Sequence, residues 1–327
     1  MSLTDNLVVV TGASGHLGNN VLRVLLEKGY KVRALVRSDT RALRGLNCEV
    51  VQGDVLDYKS LRKAFEGAEA VIHCAAQISI SGGHKGEVFK INVLGTRNVI
   101  DAAKEVGVEK IVHVSSIHAF KDIGETVNEL SELVDHQGTS YDISKAEGLR
   151  IVQDEWAKGT DITAICPTAL IGPYDFKPSY MGRFLISLAK GEVPALVRGG
   201  FDWVDVRDVA KGIVSALENS VRNRIYILSG FYLSVEELSK IWCEIAGKKA
   251  PGFILPLEIA TFGASFVEKF YPVLGIEPIF TREALNALRW RSKIDRRKAE
   301  EDLNYNPRPI SETLKDTLNW FKENGYL

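Results

Sequence analysis

The sequence predicts an α/β protein built on a doubly wound parallel sheet, followed by a smaller, mostly helical C-terminal lobe. Short apolar runs alternate with amphipathic segments through the first half of the 327-residue chain. A run that is apolar at every position is typical of a strand buried on both faces of a parallel sheet. Strands that alternate with helices are joined by right-handed crossovers, which cover the sheet with helices.

The predicted elements follow one another in a regular order. The first apolar run covers residues 7–10 and leads into Gly12, and apolar residues then recur at helical spacing until Gly29. Further strand-like runs lie at residues 32–36, 49–53, 70–75, 110–114 and 161–166, with helical segments at 61–65, 87–106 and 141–158. The carboxyl ends of these strands define one edge of the sheet, where such a fold binds its ligands.

The regular alternation weakens after Pro167, which marks a soft boundary. We expect a sheet domain over residues 1–167 and a second lobe over residues 168–327. Residues 203–218 combine a strand-like run with a helical pattern, and this segment is expected to return to the first domain. A further strand is predicted at 224–228, and a final amphipathic helix at 311–323.

The composition excludes several classes of function. The 41 Lys and Arg residues balance 42 Asp and Glu residues, so no overall field attracts nucleic acid or an anionic membrane. The four cysteines form no C-x-x-C pair and the six histidines have no zinc-binding spacing, so no metal site is predicted. No segment reaches the roughly 20 uninterrupted apolar residues that span a bilayer. We expect a cytoplasmic protein, because widely spaced cysteines fit a reducing compartment.

A glycine-rich turn, T-G-A-S-G-H-L-G at residues 11–18, lies between the first strand and the first helix. Gly12 permits the tight turn, Gly15 lets backbone amides approach a pyrophosphate, and Gly18 lets the helix pack on the strand. The N-terminus of the helix faces the negative charge of the ligand. In this context the motif predicts a dinucleotide, so residues 1–167 are expected to form an NAD(P)-binding Rossmann domain. The alternative is a merely tight turn.

The end of the second strand bears on which nicotinamide cofactor is bound. An acid there would hydrogen-bond the ribose hydroxyls and repel a 2′-phosphate, but the position holds Arg37. A guanidinium can bind a phosphate through two hydrogen bonds, which favours NADP over NAD. Arg41 and Arg44 follow, and they could instead be solvated loop cations. Asp54, after the third strand, could accept from the adenine amino group or cap the next helix.

Ser116, Tyr141 and Lys145 are candidates for acid–base chemistry. Tyr141 and Lys145 are four residues apart in a predicted helix, so they share a face, and Ser116 follows the fifth strand. A phenol has an ordinary pKa of about 10, so it works at neutral pH only if its anion is stabilised. We expect the Lys145 ammonium and a cofactor cation to lower the pKa of Tyr141. Ser116 would hydrogen-bond a substrate oxygen as negative charge develops on it.

With these residues in register, the chain resembles the extended short-chain dehydrogenase/reductase family. The matching segments are residues 11–18, 54–55, 73–76 (HCAA), 92–96 (NVLGT), 114–116 (VSS), 141–145, 167, 172–173, 203–210 (WVDVRDVA) and the pattern over 295–307. The string VRALVR at residues 32–37 is typical of the branch that holds dihydroflavonol 4-reductases and 3β-hydroxysteroid dehydrogenase relatives. The resemblance covers essentially the whole chain.

The resemblance implies NADPH-dependent reduction of a small-molecule ketone or aldehyde to an alcohol. It implies that Tyr141 donates the proton, Lys145 binds the nicotinamide ribose and Ser116 orients the carbonyl. It also implies a homodimer formed through helices beside the sheet, with the Tyr141 helix as a candidate. The cofactor-binding residues that it implies are Gly12, Ser14, Gly15, His16, Leu17, Gly18, Arg37, Asp54, Val55, Ala75, Ala76, Ser115, Tyr141, Lys145 and Pro167.

Two other functions stay open. A nucleotide-sugar epimerase or dehydratase shares the fold and the triad but uses tightly held NAD. Family dehydratases carry an acid pair where this chain has Ile117 and His118, and the R-x-G-D motif of epimerases is absent from the C-terminal lobe. Bacterial hopanoid-associated relatives described as sugar epimerases nevertheless share the C-terminal pattern. A non-catalytic dinucleotide sensor would tend to lack Tyr141 or Lys145, and both are present.

The remaining features have less specific interpretations. We expect His113 to be a hydrogen-bonded core residue, Asn92 to bind backbone near the site, and His118 to contact solvent or substrate without relaying protons. The basic run at residues 289–298 is interpreted as a solvated helix face, with a phosphate-bearing substrate as the alternative. Aromatic residues between positions 253 and 271 line an apolar substrate pocket or belong to a core helix.

Overall fold

The computed structural model describes residues 6–78, 85–220, 222–267 and 282–327. Its strands are β1 (Leu7–Thr11), β2 (Lys31–Val36), β3 (Glu49–Gln52), β4 (Ala70–His73), β5 (Lys110–Val114), β6 (Thr126–Val127), β7 (Ile162–Pro167), β8 (Ala169–Ile171), β9 (Leu196–Val197), β10 (Gly200–Asp205), β11 (Ile225–Leu228), β12 (Phe231–Ser234), β13 (Ile254–Leu255) and β14 (Lys293–Ile294).

The helices lie between these strands and at the end of the chain. They are α1 (His16–Glu27), α2 (Tyr58–Phe65), α3 (Lys85–Phe89), α4 (Gly95–Glu105), α5 (Ser140–Trp156), α6 (Tyr180–Lys190), α7 (Val206–Glu218), α8 (Val235–Ile245), α9 (Leu257–Val267), α10 (Arg282–Ala287), α11 (Arg297–Leu303) and α12 (Ile310–Glu323). Within the described part of the chain, no helix is both long enough and apolar enough to cross a membrane.

Seven strands form the central sheet in the order β11-β7-β5-β4-β1-β2-β3, and each neighbouring pair is parallel. The direction of the strand order reverses at β1, which has β2 on one side and β4 on the other. The loops that follow β1 and β4 therefore diverge, and a crevice opens at the carboxyl edge between them. The predicted doubly wound parallel sheet is confirmed, and the glycine-rich turn lies at this crevice.

The two faces of the sheet are covered by different helices. Val8 and Val10 of β1 pack in one buried cluster with α1 and α7, whereas Val9 packs in a second cluster with α2, α4 and α5. Successive side chains of a strand point to opposite faces, so this division follows directly from the continuous apolar run. Helices exclude water from both faces of the sheet, which explains why polar and apolar residues do not alternate along β1.

Beyond β7 the chain forms a second unit and also returns to the first. β8, β10 and β12 make a three-stranded sheet, and a third buried cluster packs α6, α8 and α12 around Trp203, Trp242 and Phe321. The segment 203–218, expected to return to the first domain, divides between the two units. Its helix α7 packs against α1 of the first domain, while its strand residues 203–205 pair with β8 of the second unit. β11 then joins the central sheet beside β7. The two units therefore interleave along the chain after Pro167.

The helix expected over residues 87–106 is confirmed, with a π-helical turn inside it. α3 ends at Phe89, the π-helical turn covers Lys90–Leu94, and α4 continues from Gly95 without a break in the helical backbone. Such turns insert one extra residue into a helix and often occur at functional sites. A Cβ on Gly95 would lie 2.8 Å from Cγ2 of Val55, so glycine lets the two segments pack closely.

The basic run at residues 289–298 does not form the expected helix face. It contains β14, which pairs with β6, and α11 begins only at Arg297. Lys298 donates to the carbonyl of Ile225 at 2.9 Å, and Arg297 forms an ion pair with Asp295 at 2.6 Å. Lys298 thus connects this run to β11, whereas the ion pair of the exposed Arg297 stays within the run.

Candidate active site

The glycine-rich turn packs tightly against the end of β4. Gly12 has a φ of +67°, and a Cβ on it would lie 2.7 Å from the backbone nitrogen of Ala75. A Cβ on Gly18 would collide with the carbonyl oxygen of Gly12. Both positions therefore require glycine. Gly12 has a left-handed backbone and a close contact, whereas Gly18 has the close contact alone. The hydroxyl of Thr11 also accepts from the Ala75 N–H at 3.3 Å.

The N-terminus of α1 is open toward the crevice. Its N-cap residue is the exposed Gly15, which has no side chain that could cap the helix. No acidic residue lies in the first turn. The side chains of His16 and Asn20 instead bind the carbonyl of Pro173, at 3.1 and 3.3 Å. Unpaired amides at the positive end of a helix dipole stabilise a phosphate. The residues present therefore fit the pyrophosphate of a dinucleotide, as the sequence predicts.

The three arginines after β2 have different environments. Arg37 is exposed, and in the described part of the chain its guanidinium has no carboxylate partner. Arg41 forms an ion pair with Asp39 at 2.7 Å, and its hydrogen bonds lower the pKa of that carboxyl to about 2. Arg44 is exposed. Arg37 is thus available to a ligand phosphate, whereas Arg41 is engaged with Asp39.

Asp54 does not cap α2. Asp57 does so, because its carboxylate accepts from the N–H groups of Lys59 and Ser60. One oxygen of Asp54 accepts from the N–H of Leu56 at 2.9 Å, and the carboxylate is only partly buried. The helix-cap alternative for Asp54 is therefore wrong, and its second oxygen is free of protein partners among the described residues.

Other residues predicted to contact the cofactor surround this crevice. Val55 is buried, and its carbonyl accepts from the Asn98 amide at 2.9 Å. Ala75 is partly buried and Ala76 is exposed, directly after β4. Pro167 is buried at the end of β7. These residues follow three strands of the central sheet, so the topology brings them to the same edge.

Ser116, Tyr141 and Lys145 meet beyond the end of β5. Ser116 begins a short 3-10 turn, and its hydroxyl accepts from the N–H of His118 at 3.2 Å. The Ser116 side chain also lies close enough to the Tyr141 phenol to lower the pKa of that phenol. Nζ of Lys145 lies 5.9 Å from the centre of the Tyr141 ring and donates to the carbonyl of Val114 at 3.1 Å. The structure thus brings the three predicted catalytic side chains together.

Burial controls the protonation of this group. Burial raises the pKa of Tyr141 to about 12, the hydrogen bond from Ser116 opposes this, and the Asp142 carboxylate adds to it. Burial lowers the pKa of Lys145 to about 8. The expected lowering of the Tyr141 pKa is therefore not produced by the described side chains alone, since loss of hydration outweighs them. An oxidised nicotinamide ring, when bound, would add a positive charge beside the phenol.

Below Lys145 lie two histidines and two cysteines whose uncharged forms are favoured. The rings of His73 and His113 are 5.4 Å apart, and burial lowers the pKa of His73 to about 3 and that of His113 well below 6.5. Burial raises the pKa of Cys74 and Cys166 to about 12. Both ring nitrogens of His113 lack a partner among the described residues, so the expected hydrogen-bonded core histidine is wrong.

Asn92 and Ser115 fix the backbone around the triad. The Asn92 side chain accepts from the N–H of Gln77 at 2.8 Å and donates to the Ser144 hydroxyl at 2.9 Å, which confirms the expected structural role. Ser115 is buried, and its hydroxyl donates to the carbonyl of Lys145 at 3.3 Å. The π-helical turn that carries Asn92 is thereby tied to the helix that carries Tyr141.

His118 lies beside Tyr141, in contact with two residues that the sequence analysis missed. Its Nδ1 is 3.4 Å from Oδ1 of Asp142, and its ring meets the Trp290 ring edge-on with centroids 5.8 Å apart. Asp142 had a signal, because it completes a capping box with Thr139 at the start of α5. Trp290 had no signal, since it is far from His118 along the chain.

The aromatic segment of the second lobe is described only in part. Phe270 and Tyr271 lie outside the described residues, and so does the side chain of Phe266. Phe253 and Phe262 are 66% and 70% exposed. Neither of these two side chains is therefore part of a buried helix core.

Comparison with known proteins gives full-length matches. Residues 8–229 match the NAD dependent epimerase/dehydratase family. The chain is 34% identical to the sterol demethylase protein B of Methylococcus capsulatus, over 98% of this chain and 99% of that protein. It is 31% identical to a putative dihydroflavonol 4-reductase of Synechocystis, over 97% of this chain and 95% of that protein. The crystal structure of gox2253 superposes with a TM-score of 0.85 at 33% identity, over 99% and 100% of the two chains.

Proposed function

This chain belongs to the NAD dependent epimerase/dehydratase family and is an enzyme of the extended short-chain dehydrogenase/reductase type, and we propose that it uses NADPH to reduce a ketone or aldehyde to an alcohol. The observation that carries the proposal is the meeting of Ser116, Tyr141 and Lys145 at the ligand-binding edge of the sheet. Two relatives above 30% identity match the chain over nearly its whole length, which supports a function shared with this group of enzymes.

The protonation of the triad supports reduction. A nicotinamide cofactor supplies the hydride when bound. With its pKa raised to about 12, Tyr141 holds its proton at neutral pH and can donate it to the substrate oxygen. With its pKa near 8, Lys145 is still mostly an ammonium at neutral pH and can hold a ribose hydroxyl. Ser116, whose side chain lies beside the phenol, orients the carbonyl oxygen between the two hydroxyls.

The environment of Arg37 supports NADP over NAD. Its guanidinium is exposed and has no carboxylate partner among the described residues, so binding a 2′-phosphate breaks no ion pair. Asp39, the nearest acid along the chain, is neutralised by Arg41 and does not repel that phosphate as a free carboxylate would. The glycine turn, Asp54, Val55, Ala75, Ala76, Ser115 and Pro167 complete the proposed cofactor contacts.

We propose that residues 1–167, with α7 and β11, bind the cofactor, and that the rest of residues 168–327 contact the substrate. The names of the two full-length relatives, a dihydroflavonol 4-reductase and a sterol demethylase protein, favour a fused-ring substrate. Nucleotide-sugar epimerisation is the second candidate, because the matching family includes epimerases. A homodimer in the cytoplasm remains part of the proposal.

Steady-state kinetics test this function. We expect the purified protein to oxidise NADPH in the presence of 1-tetralone, a dihydroflavonol or a related ketone, and to use NADH less well. Arg37→Ala should raise KM for NADPH by about tenfold or more and leave KM for NADH little changed, since it removes charged hydrogen bonds. Arg41→Ala is the matched control and should have a smaller effect.

Three outcomes would contradict parts of this proposal. Equal effects of Arg37→Ala on both cofactors would show that the residue does not select NADP. Copurified, tightly held NAD together with interconversion of nucleotide sugars would make the protein an epimerase. Tight cofactor binding without turnover of any carbonyl or sugar would make it a sensor.

A further inference from the structure

We propose that His118, held between Asp142 and Trp290, is a specificity-determining residue that accepts a hydrogen bond from a substrate hydroxyl on the carbon next to the reacting carbonyl. The inference rests on the proposed reductase function and narrows its substrate class to carbonyl compounds that carry a hydroxyl on the neighbouring carbon. Neither the triad nor the cofactor contacts require a histidine at this position.

The position of His118 is fixed relative to both proton-bearing hydroxyls. Its backbone N–H donates to the Ser116 hydroxyl at 3.2 Å, and its ring meets the Tyr141 ring edge-on with centroids 6.1 Å apart. A carbonyl oxygen held by these two hydroxyls therefore has the imidazole as its neighbour. That separation suits a contact with an adjacent substituent better than with the carbonyl oxygen itself.

The Asp142 carboxylate orients the ring. Oδ2 of Asp142 accepts from the N–H of Thr139 at 3.1 Å, which fixes the carboxylate, and Oδ1 then faces Nδ1 of His118 at 3.4 Å. A carboxylate beside Nδ1 favours the tautomer that carries the proton on Nδ1, and in that tautomer Nε2 is a hydrogen-bond acceptor for a ligand. Nε2 of His118 has no protein partner among the described residues and is not one of the buried unpaired atoms.

The Trp290 ring packs against the other side of the imidazole, and hydrogen bonds to the residues that follow Trp290 hold it in place. The Asp122 carboxylate accepts from the N–H of Arg291 and the N–H of Ser292, both at 2.9 Å. β14 then pairs with β6, so the segment that carries Trp290 is attached to the domain that carries the triad. With Asp142 on one side and Trp290 on another, the ring is 27% exposed and has little freedom to turn away.

An acceptor held in this way distinguishes substrates by what they offer it. A substrate with a hydroxyl beside the reacting carbon donates to Nε2, whereas a substrate without that hydroxyl displaces water from a polar nitrogen and leaves it unpaired. A hydrogen bond of this kind contributes roughly threefold to tenfold in kcat/KM.

The test compares 1-tetralone with 2-hydroxy-1-tetralone, and cyclohexanone with 2-hydroxycyclohexanone, under NADPH saturation. The wild-type protein should favour the hydroxylated member of each pair. His118→Leu should reduce this preference roughly threefold to tenfold, mainly through KM of the hydroxylated ketone. His118→Asn should restore part of the preference, since an amide can still hydrogen-bond. Asp142→Asn can still cap α5 and should weaken the preference less than His118→Leu.

His136→Leu is the matched control, because His136 is exposed and outside the site, and it should leave both rates unchanged. Equal losses on both members of a pair in His118→Leu would show that the ring merely supports Tyr141, and the inference would be overturned while the reductase function stood. A wild-type preference for the unhydroxylated ketones would also overturn it. Failure of the wild-type protein to reduce any of the four ketones would remove the proposed function, and this inference with it.

Discussion

The proposed catalytic end and the proposed adenosine end of the crevice hold charged groups in opposite environments. At the catalytic end Lys145 is 5% exposed, and burial moves the pKa of Lys145 to about 8 and that of Tyr141 to about 12. At the adenosine end Arg37 is exposed, and the Arg41–Asp39 pair lies near the surface. The proposed proton transfer therefore takes place at a partly exposed phenol near a buried ammonium, and the proposed cofactor selection takes place where charges stay solvated.

This difference in hydration sets the size of the effects expected at each end. Removing an ion from water costs several kcal/mol in a folded protein, even after relaxation. An exposed ion pair contributes only about 0–1 kcal/mol. Substitutions at the catalytic end should therefore change rate or stability strongly, and those at the adenosine end should act moderately and mainly on cofactor binding.

The largest expected effect is that of Tyr141→Phe. The substitution removes the proton donor but keeps the ring that packs against His118, so the fold and the cofactor site should persist. We expect kcat to fall by about 10²–10⁴-fold, the usual contribution of a positioned acid. Pre-steady-state kinetics of ketone reduction measure the loss of rate, and a fluorescence titration of the cofactor shows separately whether the cofactor site persists. A rate close to that of the wild type would mean that another group donates the proton.

Lys145→Met should stabilise the protein while it lowers activity. The pKa of Lys145 is about 8 in the folded chain and 10.5 in the unfolded one, so the unfolded state binds more protons between these values. Wild-type stability therefore rises with pH across that window. At pH 7 both states are protonated, and burying the ammonium costs up to about 3 kcal/mol, which Met avoids.

Urea unfolding at several pH values checks this expectation. The stability advantage of Lys145→Met should be largest near neutral pH and should shrink as the pH rises from about 8 toward 10.5. Lys190→Met provides the control, since Lys190 is exposed at the end of α6 and should show no such trend. A variant that is less stable at neutral pH would show that the hydrogen bond from Lys145 to Val114 outweighs the cost of burial.

The smallest effects should separate the two aspartates near the adenosine end. Asp57 caps α2, so Asp57→Ala should lower the free energy of unfolding by about 1 kcal/mol and leave KM for NADPH unchanged. Asp54→Ala should have the opposite profile, with weaker cofactor binding and little loss of stability. Thermal unfolding and cofactor titration distinguish them. If Asp54→Ala destabilises the fold without affecting the cofactor, its role is confined to the turn at Leu56.

Local patterns were sufficient to predict much of the site. The apolar runs place the strands because a strand covered on both faces excludes polar residues. Gly12 and Gly18 stand where any Cβ would meet backbone, so their spacing carries structural information directly. Tyr141 and Lys145 share a helix face because of the helical repeat, which needs no tertiary knowledge.

Contacts between distant segments could not be predicted in the same way. The helix expected over residues 87–106 forms but contains a π-helical turn that its sequence did not predict, where Asn92 binds Gln77 and Ser144 from other segments. The basic run after residue 289 appeared helical, but part of it pairs as a strand with β6. In both places a partner from elsewhere in the chain overrides local preference.

The sequence by itself determined the doubly wound sheet, and it predicted the cofactor turn and the proposed roles of Ser116, Tyr141 and Lys145, because each depends on neighbours within a few residues or on a regular repeat. The tertiary structure decided that β11 returns to the central sheet, that Arg41 pairs with Asp39 while Arg37 has no carboxylate partner among the described residues, and that burial raises the pKa of Tyr141. It also placed Trp290 against His118. Hydration and long-range packing depend on which segments meet in space, and a linear pattern does not record those meetings.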